Sequence, residues 1–227
     1  MNNEPESQQT PALPFVLDGV QFQPRELPIA PEIQLYLMQD DYPEQNLDQN
    51  NYQRLMQAPP YWAFCWGGGQ ALARWILDHS AVVAGRRVTD FGAGSGVAAI
   101  AALKAAAHQA CAVDIDLGAL QACEANAKLN GVSLTVEPQL PLPGVQDSIL
   151  LAADICYEDS GFEGVLSHIE QGSDALVAES RLRNLSQTLP ALQKVAEYQV
   201  RTFPDLDESE NYDLVQIFAT EFAQKHL

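Results

Sequence analysis

The sequence predicts an α/β fold: a doubly wound, mostly parallel sheet with helices on both faces and an antiparallel last strand. Three observations carry that expectation. Short apolar runs of strand length alternate with stretches of helical period through residue 180. One of those runs, Arg87–Phe91, ends in a glycine turn that opens an alanine-rich helix. Acids stand at the carboxyl ends of several runs, where open α/β sheets bind their ligands.

Taken in order, residues 1–14 are polar, contain proline and have no period, and are read as a disordered N-terminus. Residues 15–57 are read as an N-terminal extension or lid. Within it Phe15-Val16-Leu17 is a short apolar group, Ile33–Leu37 alternates like an edge strand, and Asp40–Gln57 is turn-rich and acidic, as a surface loop is. The main domain is placed at 58–227. Its first stretch, from Pro59 to Gln70, sets Tyr61, Trp62, Phe64 and Trp66 beside Gly67-Gly68-Gly69, so that rings and bare backbone can line a cleft. A helix follows, with Leu72, Trp75 and Ile76 on one face.

The strand Arg87–Phe91 and its turn lead into a helix over Val97–Ala107. Cys111–Asp116 reads as a second buried strand with acids at its carboxyl end, and the helix Leu117–Asn130 closes on the C-cap pair Asn130-Gly131. Val132–Val136 is a third strand, after which Pro138, Pro141 and Pro143 forbid regular structure. Ser148–Ala153 is continuously apolar, as buried parallel strands are, and runs into Asp154-Ile155-Cys156-Tyr157. Ser160 and Glu163 read as a capping box for the next helix, which carries Phe162, Leu166 and Ile169 on one face. Ala175–Ala178 is a fifth strand and Ser186–Tyr198 a helix with Pro190 in its first turn. Gln199–Phe203 and Tyr212–Ala219 form a closing strand pair around an acidic turn.

The composition narrows the partners. Thirty acidic against twelve basic residues give a net charge of −18, which argues against nucleic acid or an anionic membrane, since both demand a cationic footprint. Cys65, Cys111, Cys123 and Cys156 show neither C-x-x-C pairing nor metal-ligand spacing, so no metal is expected and a reduced, cytoplasmic setting is. No apolar run approaches the ~20 residues that span a bilayer.

The glycine turn Gly92-Ala93-Gly94-Ser95-Gly96 reads as a nucleotide-sized cradle. The dinucleotide fingerprint G-x-G-x-x-G would need glycine at position 97, where the sequence has Val97. Asp90, two residues before the first glycine, sits badly beside a pyrophosphate and well beside an ammonium and a sulfonium. S-adenosylmethionine carries both; a glycine turn with no ligand is the plain alternative. Asp114, 18 residues beyond Gly96, is placed to bond a ribose diol, while Asp116 reads better as a cap for the next helix.

With these residues in place the chain resembles the class I, seven-stranded, S-adenosylmethionine-dependent methyltransferases. Pro59-Pro60-Tyr61-Trp62-Ala63 with Trp66, Gly68-Gly69-Gln70-Ala71-Leu72, the glycine loop and Val113-Asp114-Ile115-Asp116 resemble the lysine methyltransferases that modify the β subunit of electron transfer flavoprotein. Pro31–Leu35 is similar to that family's N-terminal segment, and Asp154-x-x-Tyr157 to its acid-x-x-aromatic motif. The resemblance covers about residues 31–160. It implies a Rossmann-like methyltransferase whose cofactor is held by Trp66, Gln70, Asp90, Gly92, Ala93, Gly94, Gly96, Asp114 and Ile115. Asp154 and Tyr157 are then the catalytic pair that orients a lysine amine. The implied partner is a protein substrate, possible readings also being a small-molecule amine or cofactor binding without catalysis. Ala178-Glu179-Ser180-Arg181 departs from the Gly-Asp-Pro expected after the fifth strand, and the adenine partner, Glu137 or Gln139, stays open.

Overall fold

Along the central strands, successive residues face two separate cores. On β6 (Ser148–Ala153), Ile149 and Leu151 point one way and Leu150 and Ala152 the other. The same split runs through β7 (Asp174–Glu179) and β9 (Leu214–Ala219), where Leu176 and Ile217 face the first core and Val177 and Phe218 the second. The first core lies under α2 (Gly67–Asp78) and α3 (Val97–Lys104); the second lies under α5 (Asp159–Glu170) and α6 (Leu185–Thr188). Burial on both faces is the reason these strands read as unbroken apolar runs.

The structure is a computed structural model that describes residues 13, 20–39, 48–139 and 148–224. Its main sheet adds β3 (Arg87–Phe91), β4 (Gln109–Val113), β5 (Thr135–Glu137) and β8 (Gln193–Gln199), in the order β5-β4-β3-β6-β7-β9-β8. Strands β3 to β7 run parallel, and β9 is antiparallel to both its neighbours. This is the doubly wound, seven-stranded sheet with an antiparallel last strand read from the sequence. The winding reverses between β3 and β6, so the crevice for a ligand opens beyond their carboxyl ends. Among the described residues no helix is long and apolar enough to cross a membrane.

A second, two-stranded sheet pairs β1 (Phe22–Glu26) with β2 (Gln34–Met38). Its tie to the main body is made by asparagines one turn apart at the end of α4 (Leu117–Leu129), on one helix face. Asn126 Oδ1 accepts from Tyr36 N at 2.7 Å and Asn130 Oδ1 accepts from Gln34 N at 3.1 Å, satisfying a strand edge that no other strand pairs among the described residues. Asn126 Nδ2 also donates to Ser95 O at 2.8 Å, so one buried side chain links this small sheet to the glycine loop.

Several expectations are corrected. The predicted helix Ser186–Tyr198 is a four-residue helix, Leu185–Thr188, that stops before Pro190; the rest is the strand β8. The strand expected at Gln199–Phe203 therefore lies upstream, and Phe203 makes only an isolated bridge to Cys65. In Asp40–Gln57, residues 40–47 lie outside the described residues. The remainder is not a loop but α1 (Gln49–Gln57), started by Asp48 Oδ1 accepting from Asn51 N, with no buried residue to give it a periodic signal. Ser160 lies inside the first turn of α5, whose N-cap position is Glu158, so the capping box does not form. The third strand is shifted to Thr135–Glu137. Residues 1–12 and the apolar group Phe15-Val16-Leu17 lie outside the described residues.

Asn126→Ala should lower stability by about 2–4 kcal/mol, because it strands the Tyr36 N–H and the Ser95 carbonyl in a buried setting. Urea unfolding checks this, and a loss below ~1 kcal/mol would mean water replaces the amide freely.

Candidate active site

The loop between β3 and α3 is shaped by its own hydrogen bonds. Gly92, Gly94 and Gly96 all have positive φ (69°, 51° and 78°). At Gly96 a Cβ would also stand 3.0 Å from Cys123 Sγ, so both conformation and packing require glycine there. Gly92 N and Ala93 N donate to Val113 O at 2.9 and 3.0 Å, Gly96 N donates to Ala93 O at 2.7 Å, and Gly94 N donates to Asp114 Oδ2 at 2.9 Å. Four of the loop's backbone donors are thus engaged inside the protein. A pyrophosphate cradle needs such donors aimed outward. This loop presents instead a bare backbone next to carboxylates.

Asp90, on the central strand, is 2% exposed, and its Oδ2 accepts from Ala99 N at 2.9 Å in the first turn of α3, where an anion is favoured by the helix dipole. Burial pushes its pKa up to about 7, and the charge of Asp114 adds to the rise. Asp114 uses its other oxygen to accept from Asp116 N at 2.9 Å; burial raises its pKa as well. Asp116 caps α4 by accepting from Gly118 N, as the sequence suggested. Ile115 projects from the strand tip, 92% exposed. Ala93 is buried. Gln70 sits apart from this surface: fully buried, it donates to Cys65 O and Arg201 O and ties two chain segments together.

Across the switch point, Asp154 follows β6 with a left-handed φ of 50°. It is 9% exposed and satisfied by three donors: Gly68 N at 2.7 Å on Oδ2, and Ser180 N at 2.9 Å and Oγ at 2.7 Å on Oδ1. Burial pushes its pKa up against the lowering effect of those donors. The middle glycine of the triple is explained here. A Cβ on Gly68 would lie 2.4 Å from Asp154 Oδ2, so the first turn of α2 must be bare for the carboxylate to reach its N–H. A carboxylate has about four acceptor positions, so about one of Asp154's stays available to a further donor.

Asp154 lies in a shallow cleft that is also lined by Trp66, Ser180, Arg181, Glu208 and Tyr212. Tyr157, 43% exposed, stands beside Arg181, whose guanidinium lies over its ring. The structure therefore brings Asp154, Tyr157 and Trp66 to one side of the crevice and Asp90, Asp114 and the glycine loop to the other. The sequence reading singled out neither Glu208 nor Tyr212, and it met Glu179, Ser180 and Arg181 only as a departure from the family pattern. The strand-end rule marks Glu179–Arg181, at the end of β7, as readily as it marks Asp154; nothing local marks Glu208 or Tyr212.

Glu179 is 1% exposed, with Oε1 accepting from Cys156 N at 2.6 Å and Oε2 without a hydrogen-bond partner. Burial first, and the charge of Asp154 second, push its pKa from the ordinary 4.5 to about 7. A raised carboxyl pKa means the fold prefers the neutral form. Its contribution to stability is fully present below the ordinary value and is lost as the pH rises through about 7. Glu179→Gln should flatten this fall: the stability difference, variant minus wild type, should grow from pH 5 to 7 and stay level above pH 8. Urea unfolding across that range checks it, and a difference independent of pH would contradict the assignment.

Known proteins share these features. Residues 71–156, from α2 through the glycine loop to Cys156, match the ribosomal protein L11 methyltransferase (PrmA) family. The electron transfer flavoprotein beta subunit lysine methyltransferase of Danio rerio is 33% identical over 175 residues, 68% of this chain and 63% of that protein, so the match spans less than two thirds of that relative. Its Xenopus laevis counterpart is 32% identical over 200 residues, 82% of this chain and 78% of that protein. Among solved structures, a Pyrococcus horikoshii protein described as a candidate RNA methyltransferase aligns with a TM-score of 0.51 at 15% identity, over 67% of this chain and 82% of that one, which shows a common fold. With a match of that extent to the Xenopus laevis protein, the chain belongs to the electron transfer flavoprotein beta subunit lysine methyltransferase family.

Proposed function

We propose that the chain is an S-adenosylmethionine-dependent protein-lysine N-methyltransferase, acting on electron transfer flavoprotein β subunit or a similar protein. The observation that carries the cofactor is the inward engagement of the loop N–H groups of Gly92, Ala93, Gly94 and Gly96 beside Asp90 and Asp114. That surface suits a cation and a ribose better than a phosphate. Asp90 and the glycine loop would hold the methionine end, Asp114 the ribose hydroxyls and exposed Ile115 the adenine face, with Trp66 at the border of the substrate cleft. The lysine substrate is supported by the family and by the carboxylate and rings of the cleft. Four free cysteines support a reducing, cytoplasmic setting.

When bound, the cofactor supplies a methyl group on a sulfonium, open to in-line attack. The chain's task is to present a neutral amine on that line and to exclude water, and orientation of this kind is worth on the order of 7–11 kcal/mol of barrier. A lysine must first lose its proton to solvent, since only the neutral amine has the lone pair that attacks. The remaining acceptor position of Asp154 then takes one amine N–H and points the lone pair at the methyl group. Tyr157 walls the approach.

Calorimetric titration should show binding of S-adenosylmethionine and of its demethylated product, and none of NAD. Asp90→Ala should weaken that binding about tenfold or more, the equivalent of one charge-assisted contact. Asp154→Asn, which keeps the side chain's shape, should leave cofactor affinity within a few fold and lose most methyl transfer. Tight NAD binding in place of the methyl donor would overturn the cofactor; full turnover in folded Asp154→Asn would reduce Asp154 to a strut.

A further inference from the structure

Three aromatic rings from distant parts of the chain surround one guanidinium. Arg181 Cζ lies 4.6 Å from the ring centroid of Tyr212, 5.3 Å from that of Tyr157 and 5.6 Å from that of Trp66, over the face of each. All three are within the ~6 Å at which a ring quadrupole attracts a cation. Trp66 precedes α2, Tyr157 follows β6, and Tyr212 belongs to the short turn Glu210–Tyr212, so no single element dictates the arrangement.

We propose that Trp66, Tyr157 and Tyr212 form a binding site for an alkylammonium side chain, and that Arg181 occupies this site from within and must leave for such a group to enter. The natural occupant, a lysine, rests on the function proposed above; the site itself does not. Arg181 follows Ser180, the residue that gives Asp154 two of its donors, so the cage adjoins the acid in one cleft. Part of the cage is held independently of the arginine. Trp66 Nε1 donates to Tyr61 O at 2.8 Å, and Tyr61 packs edge-on against its ring at 5.6 Å.

Outside the rings Arg181 is held by Glu208, at 2.9 Å, with the two side chains 24% and 22% exposed, so an incoming cation has to offset a largely buried ion pair as well as the ring contacts. Two cations cannot share one set of ring faces, so an incoming ammonium and Arg181 compete. The competition would select against small free amines, which bring no further contacts, and for an amine carried on a protein surface, whose other contacts offset the displacement of the arginine.

The probe that tests this is n-butyltrimethylammonium, a lysine-like cation that needs no methyl donor, titrated by ligand-observed NMR against the full chain. Arg181→Ala and Arg181→Met should each bind it about tenfold or more tighter than wild type, because the rings are freed. Glu208→Gln should bind it more tightly than wild type by a smaller factor, and Arg181→Ala combined with Trp66→Ala should lose the gain. If folded Arg181→Ala and Arg181→Met bind no better than wild type, or the gain survives loss of Trp66, the site is not a plugged cage. Titrating S-adenosylmethionine into the same samples separates this from the proposed reaction: a chain that binds the cation but no methyl donor keeps the cage and loses the enzyme.

Discussion

A carboxylate buried at the end of a central strand has to find its hydrogen bonds inside the protein, and Asp154 is the residue on which the site depends for that reason. Three donors from two elements converge on it. To meet them the backbone turns left-handed at φ 50°, the first turn of α2 carries Gly68 in spite of its poor helix propensity, and Ser180 sits directly beyond β7. Removing any one donor would leave a buried anion short of partners, which costs more than the bond itself contributes. The cleft beside Asp154 thereby gets a fixed floor.

Electrostatics divides the crevice in two. On the β3–β4 side, Asp90 and Asp114 lie beneath a loop four of whose N–H groups are engaged inside the protein, one of them with Asp114 itself, so few free donors face the ligand. On the β6–β7 side, the charge of Asp154 adds to the burial that raises the pKa of Glu179, and Arg181 lies in the cleft with Asp154. Such a layout suits a cationic donor on one side and a cationic side chain, made neutral before reaction, on the other. The switch point between β3 and β6 makes them neighbours, because adjacent parallel strands end on the same edge of the sheet.

Much of this was legible in the sequence. Apolar runs buried on both faces announce parallel strands, and Gly92-x-Gly94-x-Gly96 after Asp90 announces the loop. What escaped reading is what depends on pairing at a distance. The four engaged N–H groups of the loop follow from the approach of Val113 and Asp114, which no spacing reveals. β8 was mistaken for a helix because Gln193–Gln199 has one half-exposed face and no strong period, and its partner β9 settles its state. α1 buries nothing, so its helix leaves no hydrophobic pattern; only the Asp48 cap marks it. Gln70, which the resemblance sets beside the cofactor, turns its amide nitrogen towards Cys65 O and Arg201 O. Arg181 registered as a deviation from a family pattern, and its three rings come from positions 66, 157 and 212.

On the proposed function, these two halves together pass a methyl group to a lysine of another protein. The most direct test incubates the purified chain with S-adenosylmethionine radiolabelled in its methyl group and a cell lysate, separates the products by electrophoresis, and hydrolyses any labelled band to identify its amino acids. The expected result is a labelled protein band that yields methylated lysine. Label confined to the low-mass fraction, or a band whose label lies on another residue, would contradict it.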